Sequence, residues 1–272
     1  MATVIQQPKK PTLVSGAAST TRTIQRYGWV PDLPDVRDLS FAAAPAIVAA
    51  LPAKVDLRSQ CPPVYDQGQL GSCTANAIAG AMQFDVLKSG RFDPVPSRLL
   101  IYFNERVIEG TVSSDSGAQI RDGIKSVAKQ GAPPETDWPY VISKFANHPS
   151  SLAYKAGLQT VALQYLSVPQ VLLQLKGCLA AGYPVIFGFS VYESFESQAM
   201  ANTGIGSLPA HGEKCIGGHA VLCVGYDDAT STFFIRNSWG SIWGMQGYFT
   251  FPYEYLTNEN LSSDFWSLRK IS

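Results

Sequence analysis

The sequence predicts an α+β protein of two lobes, the first mainly helical and the second mainly antiparallel β. Three observations carry that expectation. Apolar residues recur at helical spacing between residues 73 and 130, and beyond residue 163 short runs rich in Val, Ile, Phe and Tyr are punctuated by Gly, Pro and Asp. Apolar residues make up 46% of the 272, enough for a sizeable core. No internal repeat is visible.

In chain order, residues 1–50 read as an N-terminal extension. Residues 1–27 are polar and without periodicity, and are expected to be mobile. Residues 28–38 contain Pro31 and Pro34, which forbid a regular helix, yet Trp29, Val30, Leu33 and Val36 offer surface to bury. An extended segment docked on a folded body fits that pattern. Residues 42–50, rich in Ala and Pro, read as a linker into Val55-Asp56-Leu57-Arg58.

A folded domain is expected over 51–272, with the helical lobe to about 162 and the β lobe from 163. Ala75, Ile78, Ala79, Met82 and Val86 predict a helix from Cys73 to Lys88, ended by Gly90 and Pro94. A second helix is predicted over Ser97–Glu109. A third follows Gly117, with Ile120, Ile124, Val127 and Ala128 as its stripe and Gly131-Ala132-Pro133-Pro134 as its stop. One more helix is expected over 171–181. Strands are expected over 185–191, 219–226, 233–236 and 248–251.

Composition excludes several function classes. Lys plus Arg equals Asp plus Glu at 21 each, so no basic face marks a nucleic-acid partner. No run approaches the roughly 18 apolar residues of a membrane span. The first ten residues lack the apolar core of a secretory signal, so a cytoplasmic location or export by an unrecognised route is expected and the compartment stays open. The five cysteines, Cys61, Cys73, Cys178, Cys215 and Cys223, are irregularly spaced, which argues against a dense disulfide framework. Cys223 reads as a buried thiol, whereas Cys61 and Cys215 are the better disulfide candidates. With three histidines and no close cysteine pair, neither a metal site nor a cofactor is expected. His148 and His211 have no motif around them and read as surface residues.

The chemistry centres on Cys73, set in Gln67-Gly68-Gln69-Leu70-Gly71-Ser72-Cys73-Thr74. It falls where a loop ends and a helix begins, so unpaired N–H groups and the helix dipole favour a thiolate. A cysteine at a helix start is ordinarily structural; its company changes the reading. His219 opens an apolar strand after Gly217-Gly218, Asn237 ends another strand, and Trp239 follows two residues on. Such an order supplies a nucleophile, a proton carrier, a group that orients the carrier and a cover for their hydrogen bond. Gln67 can aim its amide at a developing oxyanion beside the Cys73 N–H.

These residues resemble the papain-like (C1) cysteine peptidases. Gly71-Ser72-Cys73 matches the family's nucleophile motif, with His219 and Asn237 well downstream. Val55-Asp56-Leu57-Arg58 resembles the mature start of family members. Asn237-Ser238-Trp239-Gly240 through Trp243-Gly244 and Gly247-Tyr248-Phe249 resembles their C-terminal signature. The overall pattern is nearer to bacterial, xylellain-like members.

The resemblance implies a two-lobe fold with a β-barrel-like right lobe and the active site in the cleft between lobes. It implies a thiol protease hydrolysing peptides or proteins through a Cys73–His219 thiolate–imidazolium pair and a covalent acyl-enzyme. Ser116 and Gly117 fall where the family pairs with an extended substrate backbone, and Gly218 can offer its carbonyl similarly. Leu70 stands where many relatives have a disulfide cysteine, and Thr74 replaces the usual aromatic. The long helical prodomain of lysosomal members has no counterpart in the first 50 residues. The segment Trp29–Asp38 is instead expected to lie against the cleft, as in a zymogen, or to brace the lobes. A monomer without nucleic-acid or membrane partners is expected. Two alternatives are a silent binding module of the same fold and a transglutaminase-type acyltransferase, against which Asn237 speaks because those enzymes more often use Asp.

Overall fold

The computed structural model describes residues 27–91 and 94–272. The expectation of a mobile N-terminus therefore falls, Tyr27 apart, outside the described residues. Ahead of the nucleophile lie α1 (Pro45–Ala49) and β1 (Lys54–Asp56), followed by α2 (Cys73–Lys88), α3 (Arg98–Glu109), α4 (Ile120–Lys129) and α5 (Ser151–Gly157). The second half runs β2 (Ala162–Ser167), α6 (Leu172–Ala180), β3 (Val185–Tyr192), α7 (Gln198–Thr203) and β4 (Cys215–Asp227). It ends with β5 (Thr232–Arg236), β6 (Tyr248–Pro252), α8 (Tyr253–Thr257) and β7 (Ser262–Ile271).

The strands form one antiparallel sheet in the order β2-β7-β3-β4-β5-β6, with β1 added along the far end of β4. The sheet is not closed into a barrel, so the barrel-like expectation becomes an open, seven-stranded sheet. β7, unforeseen in the sequence, lies inside that sheet and buries Phe265, Trp266, Leu268 and Ile271. The linker expected over 42–50 contains the single-turn α1, which starts at Pro45 and packs on α6.

The helical elements follow their sequence signals. The Ser97 hydroxyl accepts from the Leu100 N–H and caps α3, and Gly110 ends that helix in the left-handed conformation at φ 73°. α2 departs from the predicted single stripe, because every residue from Cys73 to Val86 is buried. It packs on α3 and α4 on one side and on β4 and β7 on the other. A helix enclosed on all faces has to pair its polar side chains internally. Asn76 Nδ2 donates to Ser72 O at 2.9 Å, Asp85 Oδ2 accepts from the Ile271 N–H at 3.0 Å, and Gln83 Oε1 accepts from Tyr65 OH.

Two further features set the ground for the site. Phe189 on β3 is ringed by Phe195, Phe249, Phe251 and Tyr255, with centroids 5.1–6.1 Å away. The same ring meets His219 edge-on at 5.7 Å. Across the cleft, the buried Arg106 guanidinium donates to the carbonyls of Val112, Ser114 and Phe145. That single cation fixes the loop carrying Ser116 and Gly117.

Gly123 provides a sharp test of α4 packing. A Cβ there would stand 2.2 Å from Glu105 Oε1 and 2.4 Å from Ile78 Cδ1. Gly→Ala inside a helix ordinarily stabilises by about 1 kcal/mol. Gly123→Ala is expected instead to destabilise by about 1–3 kcal/mol through overpacking, measured as a lower urea midpoint at unchanged slope.

Candidate active site

Cys73 is the first residue of α2, and its N–H belongs to the first turn that no preceding carbonyl within the helix can satisfy. Its side chain is 0% exposed. The backbone N–H groups of Ala220, Gly28 and Thr74 reach the sulfur. Because Ala220 is one of them, the thiol sits against β4 at the residue that follows His219.

His219 and Asn237 come together because β4 and β5 are neighbours, with Leu222 opposite Arg236. His219 Nε2 and Asn237 Oδ1 are 2.8 Å apart, and both residues are 1% exposed. Asn237 Oδ1 also accepts from the Ser238 N–H at 2.8 Å, which fixes the amide with its oxygen toward the ring. Trp239 lies over the imidazole with centroids 5.1 Å apart, and is held in turn by Phe195 and Trp243. Gln67 is anchored across the lobes: its N–H donates to Ser238 O at 2.9 Å and its Oε1 accepts from Ser238 Oγ at 2.6 Å. Its Nε2 donates one hydrogen to Leu70 O at 3.0 Å, leaving the second for another acceptor.

The remaining sequence candidates separate. The Gly218 carbonyl accepts from the Trp29 N–H at 3.0 Å. Gly117, at φ 74°, approaches the strap so closely that a Cβ would lie 2.3 Å from Gly28 O. The pairing itself passes through Ala118, whose N–H donates to Gly28 O at 2.7 Å and whose O accepts from the Val30 N–H at 3.0 Å. Ser116 turns away and bonds Thr111 Oγ1 at 2.9 Å. His148 and His211 are exposed, and all five cysteines are free thiols, Cys61 and Cys215 included. Leu70 is buried among apolar residues. Among the described residues no three His, Cys, Asp or Glu side chains converge as metal ligands, and no helix is long and apolar enough to cross a membrane.

The extended segment expected around Trp29 is docked on the body, and several of the residues that hold it there were not foreseen. Trp29 pairs with Gly218 on one side, while Gly28 and Val30 pair with Ala118 on the other. A Cβ on Gly28 would stand 1.7 Å from Gly71 O, so only glycine passes there. The Trp29 ring fills a slot cleared by two glycines, with Cβ positions 2.0 Å from it at Gly188 and 2.6 Å at Gly218. Trp29 Nε1 donates to Asp264 Oδ2 at 2.9 Å, and Tyr27 OH donates to Glu196. Asp115 accepts from the Gly71 N–H at 3.1 Å and from Tyr102 OH, tying the nucleophile loop to α3. Behind the nucleophile, Thr74 Oγ1 donates to Glu105 Oε2 at 2.8 Å. No local motif marks these partners, which lie far apart in sequence.

Burial dominates the electrostatics. It pushes the Cys73 thiol up to about 12, while the N–H groups of Ala220, Gly28 and Thr74 pull it down. Burial also holds the Glu105 carboxyl well above the usual carboxylate range, which favours a neutral acid behind α2. The N–H groups around the helix start and the burial thus act in opposite directions on this thiol.

Comparison with known proteins bears on the family and the fold. The sequence model of the papain family of cysteine proteases matches residues 51–263. The crystal structure of xylellain, a cysteine protease from Xylella fastidiosa, superposes with a TM-score of 0.85 at 43% identity, covering 96% of this chain and 100% of that one. A peptidase C1-like protein of Acanthamoeba polyphaga mimivirus is 40% identical over 93% of this chain and 89% of its own length. The thiol protease aleurain of Arabidopsis thaliana is 30% identical over 74% of this chain, which spans 56% of that protein. The chain is therefore a member of the papain family of cysteine proteases, hydrolases whose substrates are peptides or proteins.

Proposed function

We propose that this protease cleaves peptide bonds with Cys73 as nucleophile, His219 as proton carrier, Asn237 as the group that orients the imidazole, and Gln67 as oxyanion donor. The observation that carries the reading is the 2.8 Å His219–Asn237 pair on the strand whose next residue, Ala220, turns its N–H to the Cys73 sulfur. With Nε2 engaged by Asn237, Nδ1 is the ring nitrogen left to exchange a proton with the thiol.

In the proposed cycle the thiolate attacks the peptide carbonyl carbon, and the oxygen takes the negative charge. The Cys73 N–H and the second Gln67 Nε2 hydrogen stabilise that oxyanion, a contribution typically of about 2.7–4 kcal/mol per donor. The C–N bond then breaks as His219 gives its proton to the leaving amine. Water, deprotonated by the same imidazole, hydrolyses the thioester and returns the thiol. Trp239 shields the His219–Asn237 hydrogen bond from solvent throughout. Gly218 and the 116–118 loop bind the extended peptide backbone, with Ala118 supplying the donor and acceptor.

The second part of the proposal divides the chain into a peptidase unit, 51–272, and an extension that restrains it. Tyr27–Asp38 then acts as a strap over the cleft. Support comes from what the strap offers the nucleophile: Gly28 presents an N–H to the sulfur, not a carbonyl carbon, so there is nothing to attack. Excluding water also keeps the thiol protonated. Its raised pKa means that little thiolate exists at neutral pH, and lifting the strap would lower that pKa by restoring solvent.

Cys73→Ala is expected to abolish hydrolysis of a peptide amide. Gln67→Ala should lower kcat by about 10²–10³ with KM little changed, read by steady-state kinetics. Iodoacetamide labelling of Cys73, followed by peptide-mapped mass spectrometry, tests the strap. Trp29→Ala or a chain starting at Leu51 should label at least about tenfold faster at pH 7. Equal rates in all three proteins would remove the restraint from the proposal and leave the catalytic assignment standing.

A further inference from the structure

Ser72 stands at the N-cap of α2, where a serine hydroxyl ordinarily accepts an N–H of the first turn. Its hydroxyl makes no such bond. It lies instead 2.5 Å from Tyr140 OH and accepts from Asn76 Nδ2 at 3.1 Å. Tyr140 OH in turn donates to Gln67 O at 2.9 Å. A phenol carries a single hydrogen, so with that hydrogen on Gln67 the Ser72 hydroxyl is the donor to Tyr140. One hydroxyl thus ties residue 67 to residue 72, the two places from which the Gln67 amide and the Cys73 N–H emerge.

A second tie runs alongside. Arg98 Nη1 donates to Asp66 O at 3.3 Å and to Asn76 Oδ1 at 3.1 Å, and Asn76 Nδ2 holds Ser72 O at 2.9 Å. Glu135 accepts from Arg98 Nε at 2.6 Å and from Nη2 at 3.2 Å. The guanidinium also lies 4.1 Å from the Tyr140 ring centre and 4.7 Å from that of Tyr65. The chain leading into Tyr140 is fixed as well, because Ser97 Oγ donates to Trp138 O at 2.7 Å.

Taking the catalytic roles of the preceding section as its basis, we propose that Tyr140 is a positioning residue for the oxyanion hole. Its hydroxyl sets the spacing between the Gln67 amide and the Cys73 N–H, while Arg98 carries its ring and repeats the tie between Asp66 and Asn76.

The need for such a tie follows from how the two donors are mounted. Cys73 opens α2, whereas Gln67 is bonded through its N–H and its Oε1 to Ser238, which follows β5. Two donors stabilise an oxyanion only while both point at one spot, and a misplacement of about 1 Å can cost about a hundredfold in rate. The Tyr140 hydroxyl registers Gln67 to α2 as well as to the sheet. The N-cap bond that Ser72 forgoes is the local rule broken to make that connection.

The test is steady-state hydrolysis of a peptide amide by full-length chains that all carry Trp29→Ala, so that the strap's anchor is absent throughout. To that chain are added Tyr140→Phe, Gln67→Ala, or both. Tyr140→Phe keeps the ring over Arg98 and removes only the hydroxyl. It should lower kcat about tenfold with KM little changed. In the Gln67→Ala chain the same substitution should cost about twofold or less, because no Gln67 amide remains to be aligned. Iodoacetamide alkylation of Cys73 develops no oxyanion, and its rate should be equal with and without the Tyr140 hydroxyl. Ser72→Ala removes the other end of the tie and should reproduce the loss without adding to that of Tyr140→Phe. The urea midpoint of each chain reports whether it is folded.

An unchanged kcat in Tyr140→Phe overturns the proposal. So do losses that multiply in full, since a hydroxyl that only supports the fold acts whether or not Gln67 is present. Slower alkylation in Tyr140→Phe overturns it too, by placing the effect on the thiol. A kcat that does not fall in Gln67→Ala removes the catalytic role of Gln67 and the positioning with it. A loss there beside an unchanged Tyr140→Phe removes the positioning alone.

Discussion

The enclosure of α2 on every face is the constraint on which the rest of the molecule depends. With the sheet on one side and α3 and α4 on the other, the helix can neither slide nor rotate without exposing apolar surface or orphaning a buried polar group. Asn76, Gln83 and Asp85 are each paired in one register only. The N-terminus of the helix, with Cys73 on it, is thereby set against β4. Because β4 and β5 are adjacent, His219 and Asn237 reach the same place without any element having to move. The aromatic cluster around Phe189 then supports the imidazole from behind while Trp239 covers it from above.

The cleft is crossed at distances that leave no room for a side chain. Glycines at 28, 117, 188 and 218 each stand where a Cβ would collide with an opposing atom. Gly28 faces the body while Gly117, Gly188 and Gly218 face the strap, so the fit is built from both partners. The same closeness removes water from the thiol and shifts its acidity, which links packing to chemistry through one contact. Charge is handled sparingly inside the molecule. Arg106 is buried against backbone carbonyls, and Glu105 is buried as a favoured neutral acid beside Thr74.

Much of this was legible in the sequence, and the limits have physical reasons. α2 and α4 were readable because their stops are local: Gly90 and Pro94 follow the one, and Gly131 with Pro133 and Pro134 follows the other. β3 to β6 were readable from apolar runs between glycines and prolines. β7 was missed because Ser262–Ile271 mixes Ser, Asp, Arg and Lys with its buried positions, and its pairing with β2 and β3 is purely long-range. β1 and β2 are likewise short or half-exposed and gain their identity from the partner strand. At the site, Cys73, His219, Asn237 and Gln67 stood in recognisable surroundings. Asp264, Glu196 and Ala118 did not, since each acquires its role only from the strap residue opposite. The complete burial of Cys73 was not legible for the same reason: the helix terminus is encoded nearby, whereas Gly28, which packs on Gly71, lies 45 positions earlier.

A covered sulfur has one more property. Peroxide and other oxidants attack a thiol according to how much thiolate it carries and how freely they reach it. Cys73 is fully enclosed in this arrangement, and burial disfavours its thiolate. Cys215 at the start of β4 is by contrast exposed, and its oxidation would leave the enclosed sulfur intact. On the proposed reading, the glycine beside the nucleophile would also preserve it, the sulfur becoming open to oxidants only once the strap lifts.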